Sequence, residues 1–201
     1  EIGMRINDRL SFNEWIDIYR KLVYWEIELS GSDDNTMDEV LTMQKDDANK
    51  GFFKFFRDNY LSWLNKESEE RPLLSVDIFK QRIFPLLDAG KHVFVLVIDN
   101  LRFDQWRVIS QVFEPYFHLA TEELYFSIIP TATMYARNAL FSGLMPSEIE
   151  KYYPDLWEAD DNEGNKNRHE EQLLIKQMER HRRKESLYFE KVSGIRRQGQ
   201  T

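Results

Sequence analysis

Apolar side chains recur at Phe12, Trp15, Ile16, Tyr19, Leu22, Val23 and Ile27, the spacing that lays one stripe along one face of a helix. Ser11 and Glu14 open that stripe as a capping box, the hydroxyl and the carboxylate each accepting from a backbone N–H that the first turn leaves over. A polar break over Ser30–Asn35 precedes the same box at Thr36 and Glu39. A second stripe then runs through Val40, Met43, Phe52, Phe55, Phe56, Tyr60 and Trp63 to about Asn65, with Gly51 weakening its middle. Two long helices joined by a short turn predict an antiparallel hairpin with its aromatic faces together. Residues 1–66 therefore read as a helical module. Residues 67–90 read as a polar connection and a third helix, from Val76 to Asp88, interrupted at Pro85 and stopped by Gly90.

The period changes after Gly90. Val93–Ile98 is continuously apolar and β-rich, the pattern of a strand covered on both faces, and it runs directly into Asp99. Residues 103–113 are helical by spacing, residues 118–129 hold a second strand that ends at Pro130, and residues 133–144 make a helix closed by Gly143. Such alternation predicts an α/β fold for residues 91–201, with a mixed or parallel sheet and flanking helices. Tyr152–Trp157 is a short aromatic segment, Glu158–Asn167 an acidic exposed loop, and Arg168–Glu190 a charged helix carrying Leu173, Leu174 and Met178. Its basic end, Arg180–Arg197, reads either as a solvated face or as a grip for polyphosphate or single-stranded nucleic acid.

Composition removes several classes. The 201 residues contain no cysteine, which excludes disulfide scaffolds, thiolate metal sites and thiol nucleophiles, and points to the cytoplasm as the default location. The longest purely apolar run is far too short to span a bilayer, and no secretory signal opens the chain, so no membrane role is expected. A net charge of −8 argues against general duplex nucleic-acid binding. The chain starts at Glu1 without an initiator Met and ends just after a basic stretch, which reads as a piece of a longer protein. The density of Phe52, Phe53, Phe55 and Phe56 exceeds one stripe, as in a homodimer contact or a helix buried in the middle of a larger protein.

Two residues sit where chemistry is expected. Asp99 follows a strand directly, the position at which open α/β sheets bind ligands, and it is either a ligand for a divalent cation or the cap of the next helix. Thr133 lies at the next junction, Pro130–Asn138. A hydroxyl there either meets free N–H groups and the positive end of the helix dipole, where a phosphoryl oxygen settles, or belongs to an ordinary N-cap formed by Thr131 or Thr133. Arg137, four residues on, shares its face and either approaches the same anion or pairs with a surface carboxylate.

Val95–Trp106 together with Pro130–Pro146 resembles a PglZ domain of the alkaline phosphatase superfamily, and Pro130-Thr131-Ala132-Thr133 with Ser142-Gly143-Leu144-Met145-Pro146 is similar to the nucleophile segment of nucleotide pyrophosphatase/phosphodiesterases. Ile6–Trp15 and Lys21–Glu26 resemble the helical middle segment of PorX-type response regulators. The resemblance implies a zinc-dependent phosphohydrolase acting on nucleotide or oligonucleotide phosphodiesters, in a two-component system that governs type IX secretion and answers to a sensor kinase. By that resemblance Asp99 is a zinc ligand, and Thr133 is both zinc ligand and nucleophile. Asn100 and Arg137 are phosphate contacts by geometry alone. No Asp-x-x-x-His or Asp-His spacing follows Thr133, although the superfamily completes its two metal sites with such pairs. The alternative is a non-catalytic signalling or scaffolding module that binds a protein partner or a nucleotide.

Overall fold

The computed structural model describes residues 9–31, 35–65, 71–157 and 167–192. The expected acidic loop over 158–166, the end of the basic tail beyond 192 and the boundary over 66–70 lie outside the described residues. The chain divides into two compact units, Glu1–Leu73 with Val95–Tyr125, and Leu74–Phe94 with Phe126–Thr201.

In the first unit, α1 (Phe12–Leu29) starts with the expected box: Ser11 N–H donates to Glu14 Oε2 at 2.9 Å, and Glu14 N–H donates to Ser11 Oγ at 3.4 Å. Helix α2 spans Asn35–Leu64, so Thr36 lies inside it and not at its cap. The two helices run antiparallel, since Trp15 meets Phe52 and Phe55 while Glu26, farther along α1, meets Lys45, earlier in α2. Leu10, Trp15, Ile18, Leu22 and Ala48 are buried between them with Leu41, Phe52 and Phe55 packed alongside. Each such large apolar side chain contributes about 1.5–3 kcal/mol, which outweighs the exposed Lys45–Glu26 pair at about 0–1 kcal/mol. A second aromatic row, Phe56 stacked on Tyr60 and edge-on to Trp63, accounts for part of the excess of rings on α2.

Helix α4 (Phe103–Phe113) has the expected bounds but no buried residue. It is attached to α1 through Tyr19, whose ring lies 5.9 Å from that of Phe103. Glu122 adds an ionic tie, facing Arg20 of α1 at 3.9 Å and Arg107 of α4 at 3.5 Å, while Arg20 Nη2 donates to the Glu122 carbonyl at 3.2 Å.

The second unit opens with a 3-10 turn (Ser75–Asp77), a π turn (Phe79–Ile83) and α3 (Phe84–Asp88), where a helix interrupted at Pro85 was expected. Pro85 lacks an N–H, and its ring crowds the carbonyl four residues earlier; the backbone widens into a π turn just before it. Helices α5 (Thr133–Ser142), α6 (Pro146–Tyr152) and α7 (Glu170–Arg180) complete the unit. Phe79, Phe84, Leu140, Phe141, Ile149, Leu173 and Leu174 form its core. Gly143 ends α5 in the left-handed region, φ 63°, as the sequence predicts. The charged helix is shorter than the expected Arg168–Glu190: it stops at Arg180, and Arg182 reverses the chain with φ 55°.

The α/β expectation is overturned. Among the described residues there is no strand, and the one ladder contact is an isolated parallel bridge between Leu74 and Phe126. The segment expected as a doubly covered strand is instead exposed, Phe94 at 94% and Leu96 at 86%. Apolar, β-branched composition favours extended backbone, but a sheet exists only where neighbouring strands supply hydrogen bonds and a covering face, and that is tertiary information. Of the expected second strand, Phe126 joins the bridge, and Ile128 is buried with its N–H donating to Ser75 Oγ at 3.2 Å.

Candidate functional site

Asp99 and Asn100 belong to the first unit and Thr133 and Arg137 to the second. Asp99 is exposed in a turn, and Asn100 beside it has a positive φ of 58°. Asp99 is not the cap of α4, because the N-cap is Arg102, whose N–H donates to Gln105 Oε1 at 3.0 Å. The capping alternative for Asp99 is thereby removed.

In the second unit a cis Ile129–Pro130 peptide precedes α5, and the N-cap of the helix is Ala132. Neither Thr131 nor Thr133 serves as the cap, and Ala132 has no side-chain acceptor to offer. The carbonyl of Ala132 takes the N–H groups of Tyr135 and Ala136 at 2.9 and 3.0 Å. The amides at the very start of α5 therefore receive no side-chain cap, and the exposed Thr133 stands beside them. That is the arrangement in which a helix N-terminus accepts an anion.

Arg137, one turn on, is committed to a carboxylate that the sequence did not single out. Its Nη2 donates to Glu170 Oε2 at 2.7 Å, and Glu170, the first residue of α7, is 1% exposed. The pairing alternative thus holds in kind, although the partner is buried and not on the surface. Lys191 Nζ approaches the same oxygen at 3.3 Å and donates to the Asn167 carbonyl at 2.9 Å. Asn167 in turn donates through Nδ2 to the Thr133 carbonyl and to Asn138 Oδ1, both at 3.3 Å. A network of Asn138, Asn167, Glu170 and Lys191 thus surrounds the start of α5. Its one sequence signal is a Glu in a helix first turn, which ordinarily reads as a solvated charge favouring the dipole.

The basic end is largely used within the unit. Arg180 Nη2 donates to the Ser142 carbonyl at 2.6 Å and so satisfies the end of α5. Arg183 lies over the Phe84 ring at 4.8 Å, donates to the Phe84 carbonyl at 3.1 Å, and pairs with Asp88 and Glu185 at 2.7 and 2.8 Å. Hydrogen bonding from Arg183 holds the Asp88 carboxyl below its ordinary range. Burial, with Arg180, Lys80 and Arg183 nearby, pushes the His181 imidazolium down. Among the described residues Arg180, Arg182, Lys184 and Lys191 of this run are exposed, Arg180 and Lys191 while hydrogen-bonded within the unit.

Asp99 in the first unit and Thr133 in the second each carry an oxygen of the hard type a divalent cation accepts. A zinc site takes three or four ligands, and no group of three or more His, Asp or Glu side chains placed to hold a metal ion occurs among the described residues. The described residues do not by themselves assemble a zinc site. His169 accepts from Arg168 Nε at 2.9 Å, and His181 lies edge-on to Phe84. Among the described residues no helix is long and apolar enough to cross a membrane.

No curated protein matches the sequence. Residues 1–64 match the PorX response regulator linker domain, and residues 78–199 match the BREX system PglZ alkaline phosphatase-like domain. Alkaline phosphatase-like domains commonly use metal ions and act on phosphoesters. Together the two matches make the chain a response-regulator effector region. With more than half of its length matched, the chain belongs to the PglZ alkaline phosphatase-like family, preceded by a PorX-type linker.

Proposed function

We propose that this effector region is a phosphohydrolase, zinc-dependent and cytoplasmic, that cleaves nucleotide or oligonucleotide phosphodiesters under the control of a sensor kinase in a system linked to type IX secretion. The observation that carries the reading is the start of α5: an exposed Thr133 hydroxyl beside side-chain-uncapped amides, with Arg137 one turn along, in a chain of the PglZ family. The amides and the dipole attract the phosphoryl oxygens, Arg137 neutralises the charge that builds on them, and the Thr133 hydroxyl is the nucleophile. Asn100 is a second phosphate contact and Asp99 a metal ligand in this reading. Zinc would supply Lewis-acid stabilisation, with Asp99 and Thr133 among its ligands.

Thr133→Val removes the hydroxyl and keeps the volume. It should abolish hydrolysis of a chromogenic phosphodiester by the zinc-supplemented full-length parent protein while leaving the far-ultraviolet circular dichroism unchanged; undiminished hydrolysis would exclude Thr133 as nucleophile. Elemental analysis for zinc, wild type against Asp99→Ala, tests the metal assignment separately, and equal zinc in both would remove Asp99 from it. Phosphodiester binding without turnover in either protein would favour the non-catalytic module.

A further inference from the structure

Glu170 is a buried carboxylate flanked by two cations, Arg137 at 2.7 Å and Lys191 at 3.3 Å, both on the same oxygen, Oε2. Its other oxygen, Oε1, is buried and accepts no hydrogen bond among the described residues. A carboxylate at 1% exposure is costly unless paired, so the cations hold it in place as much as it holds them. The cluster lies against the start of α5: Lys191 donates to the Asn167 carbonyl, and Asn167 donates to the Thr133 carbonyl. Two positive groups facing one negative group beside a helix N-terminus would, without that negative group, suit a phosphate.

We infer that Glu170 is an internal counter-anion: it occupies the seat that Arg137 and Lys191 would otherwise offer a phosphoryl group, and so limits the phosphate affinity of the α5 N-terminus. The inference rests on the reading of Arg137 as a phosphate contact given above. It makes Glu170 a positioning residue that acts through Arg137, and it defines the exchange by which a substrate phosphate gains the guanidinium: the phosphate takes the hydrogen bonds that the carboxylate gives up. Electrostatics decides the sign. Removing the negative charge of Glu170 relieves its repulsion of a phosphate and releases the hydrogen bond it takes from Arg137, an effect larger than the loss of one orienting hydrogen bond.

The test uses inorganic phosphate as the probe and Glu170→Gln as the variant, because glutamine keeps the length and one acceptor oxygen and removes the charge. Phosphate affinity by titration calorimetry at fixed ionic strength is expected to tighten about tenfold. Glu170→Asp keeps the charge and is expected to stay at the wild-type affinity. Unchanged or weaker phosphate binding by Glu170→Gln overturns the inference. Should glutamine weaken the fold, the helical signal in phosphate and in chloride buffers of equal ionic strength becomes the readout: recovery in phosphate alone supports the inference, and equal unfolding in both overturns it. Arg137→Met separates the inference from its premise. If it weakens phosphate binding while Glu170→Gln fails to tighten it, the phosphate contact stands and the counter-anion role falls. If the gain of Glu170→Gln survives the addition of Arg137→Met, Arg137 is not the phosphate contact and both fall.

Discussion

Gly143→Ala tests the packing behind the candidate site, and the structure gives its cost in two parts. Gly143 has φ 63°, a conformation that costs an L side chain about 1–2 kcal/mol. A Cβ there would also overlap the Gln177 side chain, whose Cδ would lie only 2.9 Å away, and Gln177 is 0% exposed. Moving a packed side chain adds about 1–3 kcal/mol, for a total of about 2–5 kcal/mol. Hydrogen exchange of peptides from α5 and α7 is the assay, because it reads the local opening free energy of this unit. Adding Gln177→Ala should remove the overlap part and leave the conformational part, a coupling that an exchange-based double-mutant cycle measures. Exchange unchanged by Gly143→Ala would refute both the left-handed cap and the close α5–α7 approach; equal single and double effects would refute the overlap alone.

Two further outcomes are expected. Leu96→Lys should change stability by no more than about 0.5 kcal/mol in urea unfolding, because Leu96 is 86% exposed, whereas a doubly covered strand would lose several; a loss above about 2 kcal/mol would restore the buried strand. The second unit should weaken as pH falls. His181 and Asp88 both titrate lower in the folded state, so the unfolded chain takes up protons first, beginning in the ordinary histidine range and continuing through the carboxylate range. Arg183→Met removes the hydrogen bond that depresses Asp88, so thermal melts between neutral and acidic pH should lose the carboxylate part of the slope, and an unchanged slope would remove Asp88 from the explanation.

What the sequence made legible was local. The Ser11–Glu14 box and the Gly143 terminator each depend on residues within a few positions of one another, and both appear as read; of the α1 stripe Trp15, Leu22 and Val23 are buried, whereas Tyr19 is exposed and the buried Ile18 was not in it. The Val93–Ile98 segment failed as a strand because its composition specifies extended backbone but not the neighbours a sheet requires. Pro85 was legible as an interruption, whereas its resolution into a π turn depends on how the chain around it packs. At the candidate site, Thr133 and Arg137 were visible from their four-residue spacing at a predicted helix start. Glu170 and Lys191 were not, since Glu170 comes to Arg137, and Lys191 to Glu170, from distant parts of the sequence, and a first-turn glutamate carries no mark of burial.

Arg183 fastens the residue just after α7 to Phe84 and Asp88, nearly a hundred positions earlier. The second unit is thus assembled from Leu74–Phe94 and from chain beyond Phe126, with Val95–Tyr125 belonging to the other unit. During synthesis, Phe79 and Phe84 leave the ribosome long before Leu140, Phe141, Leu173 and Leu174 exist to cover them. The helical hairpin of α1 and α2, closed by contacts near in sequence, can form at once, while the unit carrying Thr133 must wait for its last helix. An emerging chain therefore holds these phenylalanines uncovered until Leu173 and Leu174 are made, and a pause or break before α7 leaves them for chaperones or for neighbouring chains.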